Sequence, residues 1–387
     1  MRRIYQSVLF VGVLVLMFLP AWYLPPLQKQ LARLQAPVLV GENPPAPRPV
    51  WWPRSWERGD YQKAMESHLK NGTALTPFFV RGKSQLDYTL FGDLPHDNIL
   101  VGKNGYFYTK TGCESSTGRN FIGRAAIRDK ARKLRYIVDH YAARGIPWLV
   151  WMPPAKSTII PEQRPRFYQG PPVDSTNRAV FSAVFREEGL PFMDFEGLAA
   201  YRAQSPHPLY SPGGLHWSYY TMGLAVDSLR QYFDARLPRA LPLVEWRDSI
   251  ERRAELLGPD RELVVGANQW FPSPLPPMPY PRMRYRVDSS HRAARALVVG
   301  DSYYKLMLDY GIHEGLFDDS SHFWYYNHEI HPPLRRAGRQ WGLGELDVLA
   351  ELADRELVLI VVYEANLERF AFNFIENVYM ALKKEAK

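Results

Sequence analysis

Apolar residues run almost unbroken from Ile4 to Leu24, whereas beyond residue 60 they recur at the spacings of helices and short strands. The first run approaches the ~20 residues that cross a bilayer as a helix. Arg2 and Arg3 precede it, and Trp22 and Tyr23 stand where an interfacial anchor belongs. No small-residue cleavage site follows, so residues 1–25 are expected to be an uncleaved transmembrane signal anchor with the N-terminus cytoplasmic and the remainder exported to the periplasm; a cleaved, soluble periplasmic form is the alternative. Residues 26–58 are rich in Pro and Trp and read as a semi-rigid spacer. Residues 59–387 then form one large domain, interrupted at about 240–292 by a proline-studded irregular insertion.

Within that domain, Val101 to Tyr108 surround an Asn104-Gly105 turn, a hairpin signal. Leu134, Ile137, Val138 and Tyr141 recur at three- and four-residue spacing and predict a helix from about Ile127 to Arg144, stopped by Gly145. Pro147–Met152 has the length of a buried strand. Asp174 is placed to cap a helix running to about Glu188, and Leu190–Phe195 is a further strand. A helix follows from about Tyr219 to Phe233, capped by Ser218. Strands come at Ala296–Val299 and Leu357–Val362. Strands alternating with helices predict a mostly parallel α/β sheet covered on both faces.

Composition changes this picture little. The 46% apolar and 23% charged residues are those of a globular protein, and the net charge of +8 comes from scattered Arg rather than from a basic block with interleaved aromatics. Nucleic acid is therefore not expected as a partner. A GxGxxG or GxxxxGK[ST] pattern in its proper context is absent, which argues against a nucleotide site. The single cysteine, Cys113, permits no internal disulfide, and no Cys/His spacing suggests zinc. No cofactor or metal is expected.

The chemistry concentrates in a few loops. Leu297-Val298-Val299-Gly300-Asp301-Ser302 ends a buried strand at a glycine and places a serine at a helix start, where backbone N–H groups and the helix dipole stabilise an oxyanion. A serine needs a base, and Gly213-Gly214-Leu215-His216-Trp217-Ser218 offers His216 just before a helix. Pro154-Ala155-Lys156 to Ile160-Pro161-Glu162 is a further loop at the same sheet edge. The backbone N–H of Ser302 is the natural oxyanion donor, with Asn327 and His322 as candidates for a second. Lys156, Trp217, Tyr303, Tyr304, His322 and Glu364 are candidates for contact with substrate, the aromatics as stacking surfaces for sugar rings.

In order, Gly102-Lys103-Asn104-Gly105-Tyr106-Phe107-Tyr108, Pro154-Ala155-Lys156, His216-Trp217, Gly300-Asp301-Ser302 and Val362-Tyr363-Glu364 resemble the AlgJ/AlgX group of exopolysaccharide O-acetyltransferases over roughly residues 95–370. The resemblance implies an SGNH-hydrolase-like fold whose histidine motif precedes its serine motif, a circularly permuted order. It also implies periplasmic acetyl transfer to sugar hydroxyls, with the polysaccharide as substrate. A multi-pass membrane O-acyltransferase as acetyl donor and other exopolysaccharide assembly proteins are the implied partners. Carried over by position, Ser302 is the acetyl-accepting nucleophile and His216 its base.

One position departs. The group carries Asp-x-His-Trp, and this chain has Gly214-Leu215-His216-Trp217. Three readings follow. A backbone carbonyl holds His216 in a Ser-His dyad, another carboxylate such as Asp194 or Glu364 reaches it, or the site is impaired and the chain is a polysaccharide-binding or assembly subunit. If the acid is simply missing, Gly214→Asp is expected to quicken acylation. An esterase, resolving the same acyl-enzyme with water, is the remaining alternative.

Overall fold

The computed structural model describes residues 39–41, 52–71, 76–170, 173, 175–336 and 339–386. The predicted anchor, most of the predicted spacer and Asp174 lie outside these residues. Among the described residues no helix is long and apolar enough to cross a membrane. The chain divides into two compact units, residues 1–96 with 264–273 and residues 97–263 with 274–387. The first contains the helices Pro53–Glu57, Asp60–Asn71 and Thr76–Phe91.

The second unit is built on one sheet. Its strands are β1 (Trp148–Trp151), β2 (Phe192–Met193), β3 (Ala296–Gly300), β4 (His322–Tyr325), β5 (Glu329–His331) and β6 (Leu357–Val361). They lie in the order β5-β4-β3-β6-β1-β2, all neighbours parallel except β4 with β5. The sheet is therefore mixed, with a parallel centre and one antiparallel edge. β3 and β6 are buried along their whole length, as expected of strands covered on both faces.

Alternation along the strands sorts side chains between two cores. Trp148, Val150, Leu297, Val299, Val358 and Ile360 point to one face and pack with α1 (Arg124–Ala142), α2 (Asn177–Glu187) and a C-terminal helix, Phe374–Glu385. Trp151, Val298, Leu359 and Val361 point to the other, against α3 (Tyr219–Asp234) and the helix that follows β3. Helix α2 is capped by Thr176, whose side chain accepts from the Ala179 N–H. Ser218 caps α3 as predicted, accepting from the Thr221 N–H.

The hairpin at Asn104-Gly105 forms, pairing Ile99–Val101 with Phe107–Thr109. The stretch expected to be irregular holds two small antiparallel pairs, Leu243–Glu245 with Arg284–Arg286 and Ile250–Arg253 with Met278–Pro281. Between them lies a helix, α4 (Gly258–Gly266), whose start meets the loop that carries His216.

Candidate active site

Ser302 begins helix α5 (Ser302–Asp309) directly after β3. Its position follows from Asp301, the N-cap, whose Oδ1 accepts from the Tyr303 N–H at 3.1 Å. The other oxygen, Oδ2, accepts from the Tyr363 N–H at 2.7 Å and from Asn366 Nδ2 at 2.8 Å. One buried carboxylate thus ties the end of β3 to the end of β6 and fixes the first turn of α5. Burial pushes the Asp301 carboxyl upward, while these three donors hold it down, for a net rise. Gly300 permits the crossing: a Cβ there would lie 3.0 Å from both Cβ and the carbonyl oxygen of Val361. As the first residue of α5, Ser302 has a backbone N–H with no intrahelical acceptor.

His216 arrives from the loop before α3. Its Nε2 lies 2.9 Å from Ser302 Oγ, across 86 residues of sequence. Its Nδ1 lies 2.8 Å from Glu262 Oε1. A carboxylate only accepts, so Nδ1 carries the proton and Nε2 is left to receive one from Ser302. The missing acid is therefore present, as Glu262 of α4. Asp194 and Glu364 do not reach His216. Asp194 pairs with Arg186 and accepts from the Glu196 N–H. Glu364 accepts from the Ala155 N–H and Thr158 Oγ1, both at 2.7 Å.

Glu262 Oε1 also accepts from the Leu215 N–H at 2.9 Å. Burial works against its ionisation, but the charge and hydrogen bonds of His216, with the Leu215 N–H, outweigh it and hold the carboxyl below its usual value. The helix meets the histidine loop closely: the Leu263 N–H donates to the Gly213 carbonyl at 2.9 Å, and Ser211 Oγ donates to the Asp260 carbonyl. A Cβ at Gly214 would lie 2.4 Å from the Pro259 carbonyl oxygen. The start of α4 occupies the space that a side chain at 214 would need, so the glycine and the relocated acid are two sides of one arrangement. Gly214→Asp cannot restore an acid here.

Tyr303 supports the histidine from beneath. Its ring lies 4.9 Å from the imidazole and stacks at 4.6 Å on Tyr363, and its hydroxyl donates to the Leu215 carbonyl at 3.3 Å. Tyr326 lies beside the serine; burial raises its phenol, while the nearby side chains of Asn366 and Ser302 work in the opposite direction. The Tyr326 N–H donates to the Gly300 carbonyl at 2.8 Å, which anchors the residue to the strand that carries the nucleophile.

Several predicted contacts go elsewhere. Asn327 donates its amide to the Phe372 carbonyl at 3.1 Å. Trp217, Tyr303 and Tyr304 are at most 1% exposed and form the core beneath the loops rather than a stacking surface. His322 pairs with Leu297 at the start of β4, while Tyr325 pairs with Gly300. Three residues of strand, about 10 Å, separate His322 from the site end of the sheet. Glu364 is buried and engaged as described. Lys156 is 3% exposed, with all its partners inside the protein. Among the described residues no cluster of His, Cys, Asp and Glu is suited to hold a metal ion.

Sequence reasoning missed Glu262 and Tyr326. Gly258-Pro259-Asp260 opens a helix in the ordinary way, with Pro at an N-terminal position and an acidic first turn. That signal was readable amid the surrounding prolines. The pairing of its Glu262 with a histidine 46 residues earlier was not.

Residues 99–303, more than half of the chain, match the family described as ALGX, SGNH hydrolase-like domain, acetyltransferase AlgX. Among solved structures, the O-acetyltransferase domain of Pseudomonas putida AlgJ is 15% identical with a TM-score of 0.44, covering 74% of this chain and 100% of that one. Pseudomonas aeruginosa AlgX is 13% identical with a TM-score of 0.45, covering 72% and 67%. Bacillus cereus PatB1 is 11% identical with a TM-score of 0.42, covering 72% and 100%. No curated protein matches the chain by sequence.

Proposed function

The chain belongs to the AlgX family of SGNH hydrolase-like acetyltransferase domains, and on that premise we propose that it transfers acetyl groups to a polysaccharide through an acetyl-serine at Ser302. The observation that carries this reading is the continuous Ser302–His216–Glu262 relay, with links of 2.9 and 2.8 Å.

Ser302 Oγ attacks the carbonyl carbon of an acetyl donor as its proton passes to His216 Nε2. Glu262 stabilises the imidazolium and holds its tautomer. The Ser302 N–H and the Tyr326 hydroxyl are the donors available to the oxyanion. Collapse breaks the bond to the leaving group, which takes the proton from His216. A sugar hydroxyl then attacks the acetyl-serine, gives its proton to His216, and Ser302 leaves with that proton. Each half-reaction returns the relay to its starting protonation.

With Glu262 in place, the reading of a scaffold with an impaired site loses its motive. The same reading places the domain in the periplasm, tethered through residues 1–25 and supplied with acetyl by a membrane-bound O-acyltransferase. The apolar N-terminal run and the family support these assignments.

The test is intact-mass measurement of the purified protein after incubation with p-nitrophenyl acetate, followed by addition of oligosaccharide acceptors. One acetyl group on Ser302, absent in Ser302→Ala and discharged onto sugar, is the expected result. A wild-type protein that never acquires the adduct refutes the mechanism. Release of acetate alone, whatever the acceptor, makes it an esterase.

A further inference from the structure

Lys156 carries a chemical problem that the relay leaves unsolved. It begins the short helix Lys156–Ile159 after β1, its residue is 3% exposed, and among the described residues no carboxylate lies within ion-pair distance of it. Burying an ammonium without a carboxylate is costly unless its donors are fully used. Here all three are. Nζ donates to the carbonyls of Ser211 and Pro212, each at 3.0 Å, and of Gly214 at 2.5 Å. These three carbonyls belong to the loop that delivers His216, and the last is two residues from it. The Pro212 carbonyl also receives the Phe107 N–H at 2.8 Å, so the loop is held from the hairpin as well.

We propose that Lys156 is a positioning residue of the site: its buried ammonium clamps loop 211–214 so that His216 stays aligned between Ser302 and Glu262, and loss of its charge slackens the loop and ends acyl transfer on the alkaline side. The proposal rests on the relay being the catalytic machinery. The reason is a count of donors and acceptors. An ammonium has three N–H groups for three carbonyls. A neutral amine has two, and turns its lone pair toward the third carbonyl, which repels it.

Of the groups facing Nζ, the Lys156 ammonium is the one placed to lose its proton on the alkaline side of neutrality. Burial lowers the Lys156 ammonium to about 7, against Glu262, Cys113 and Asp260, which favour its charge. From α4, Asp260 is raised by burial to about 6 and Glu262 is lowered, so both are ionised above neutral pH. From the helix Lys110–Ser116, the Cys113 thiol is raised by burial to about 12. From the hairpin, the rings of Tyr106 and Tyr108 lie 5.9 and 5.2 Å from Nζ, and burial raises both phenols. From the loop after β6, the Tyr363 phenol lines the same small cavity, and burial raises it well above its usual value.

The experiment measures single-turnover acetylation of Ser302 by p-nitrophenyl acetate from about pH 6 to about pH 10, in wild type and Lys156→Met, alongside amide hydrogen exchange of segment 211–217. In wild type the rate is expected to fall on the alkaline side with a midpoint nearer 7 than the usual 10.5. Lys156→Met is expected to be slower by up to about 10²-fold, the scale of a misplacement of about 1 Å, to lose the alkaline limb, and to keep its KM for the ester. Exchange in segment 211–217 is expected to quicken in the variant relative to wild type at the same pH. An unchanged rate and pH profile in Lys156→Met overturns the clamp. So does a wild-type rate that stays level up to pH 10, a result that needs no variant to fold. If the wild type never acetylates, the functional reading fails, and the exchange measurement decides the clamp by itself: protection of 211–217 that is indifferent to Lys156 removes it.

Discussion

Glu262→Gln isolates the electrostatic part of the relay, because the amide keeps the carboxylate's shape. In the wild type, Oε1 stands 2.8 Å from His216 Nδ1 and also receives the Leu215 N–H. The change removes the charge that faces the imidazolium formed in the transition state. A hydrogen bond to a charged group is worth about 1.5–3 kcal/mol, which alone slows acylation roughly 10- to 10²-fold. A second effect adds to it. If the new amide turns its NH2 toward Nδ1, the imidazole proton moves to Nε2, and Ser302 faces a donor instead of a base. In serine triads the equivalent loss reaches about 10⁴-fold. Because a third of the Glu262 side chain is exposed, solvent screens part of the charge, and the expected slowing lies between about 10² and 10³-fold. The assay is the pre-steady-state rate of p-nitrophenol release with Ser302 acetylation followed by mass, and Glu262→Asp as a companion whose shorter side chain gives partial loss. A Glu262→Gln protein that acetylates within about threefold of wild type would show that this carboxylate is not the working acid.

Gly214→Asp, the substitution that sequence alone favours as a gain, is expected to slow acetylation and lower the melting temperature, since its Cβ would meet the Pro259 carbonyl at 2.4 Å. Overpacking of this kind costs about 1–3 kcal/mol; calorimetry that finds the variant as stable as wild type, with faster acylation, would contradict the packing account. Tyr326→Phe removes a hydroxyl that lies beside the Ser302 side chain, and turnover is expected to fall by about 10²-fold or more if that hydroxyl serves the oxyanion. A fall in substrate affinity with turnover unchanged would assign Tyr326 to binding instead.

How far the sequence reached can be followed residue by residue. The strands Trp148–Trp151, Ala296–Gly300 and Leu357–Val361 and the helices Arg124–Ala142 and Tyr219–Asp234 were legible because their period, caps and stops are written within a dozen neighbouring residues. Ser302 and His216 were legible for the same reason, each sitting at a junction of elements that local pattern defines. The start of the helix Gly258–Gly266 was equally readable in Pro259 and Asp260, but the proline-studded stretch around it reads as irregular throughout.

By itself, then, the amino-acid order determined the alternation of strands and helices, the serine at a strand-to-helix turn, the histidine before a capped helix, and the absence of an aspartate at position 214. Tertiary structure alone decided which acid serves that histidine and what becomes of the buried groups around it. Lys156, Trp217, Tyr303 and Tyr304 suggested substrate contact as isolated residue types, yet each lies inside the protein, clamping a loop or filling the core. The physical reason is the reach of the interactions. Periodicity and capping act over one or two turns of chain, whereas the contact from His216 to Glu262 spans 46 residues and that from His216 to Ser302 spans 86. Such pairs are fixed by the packing of whole elements, here by a glycine that lets one helix start press against the histidine loop.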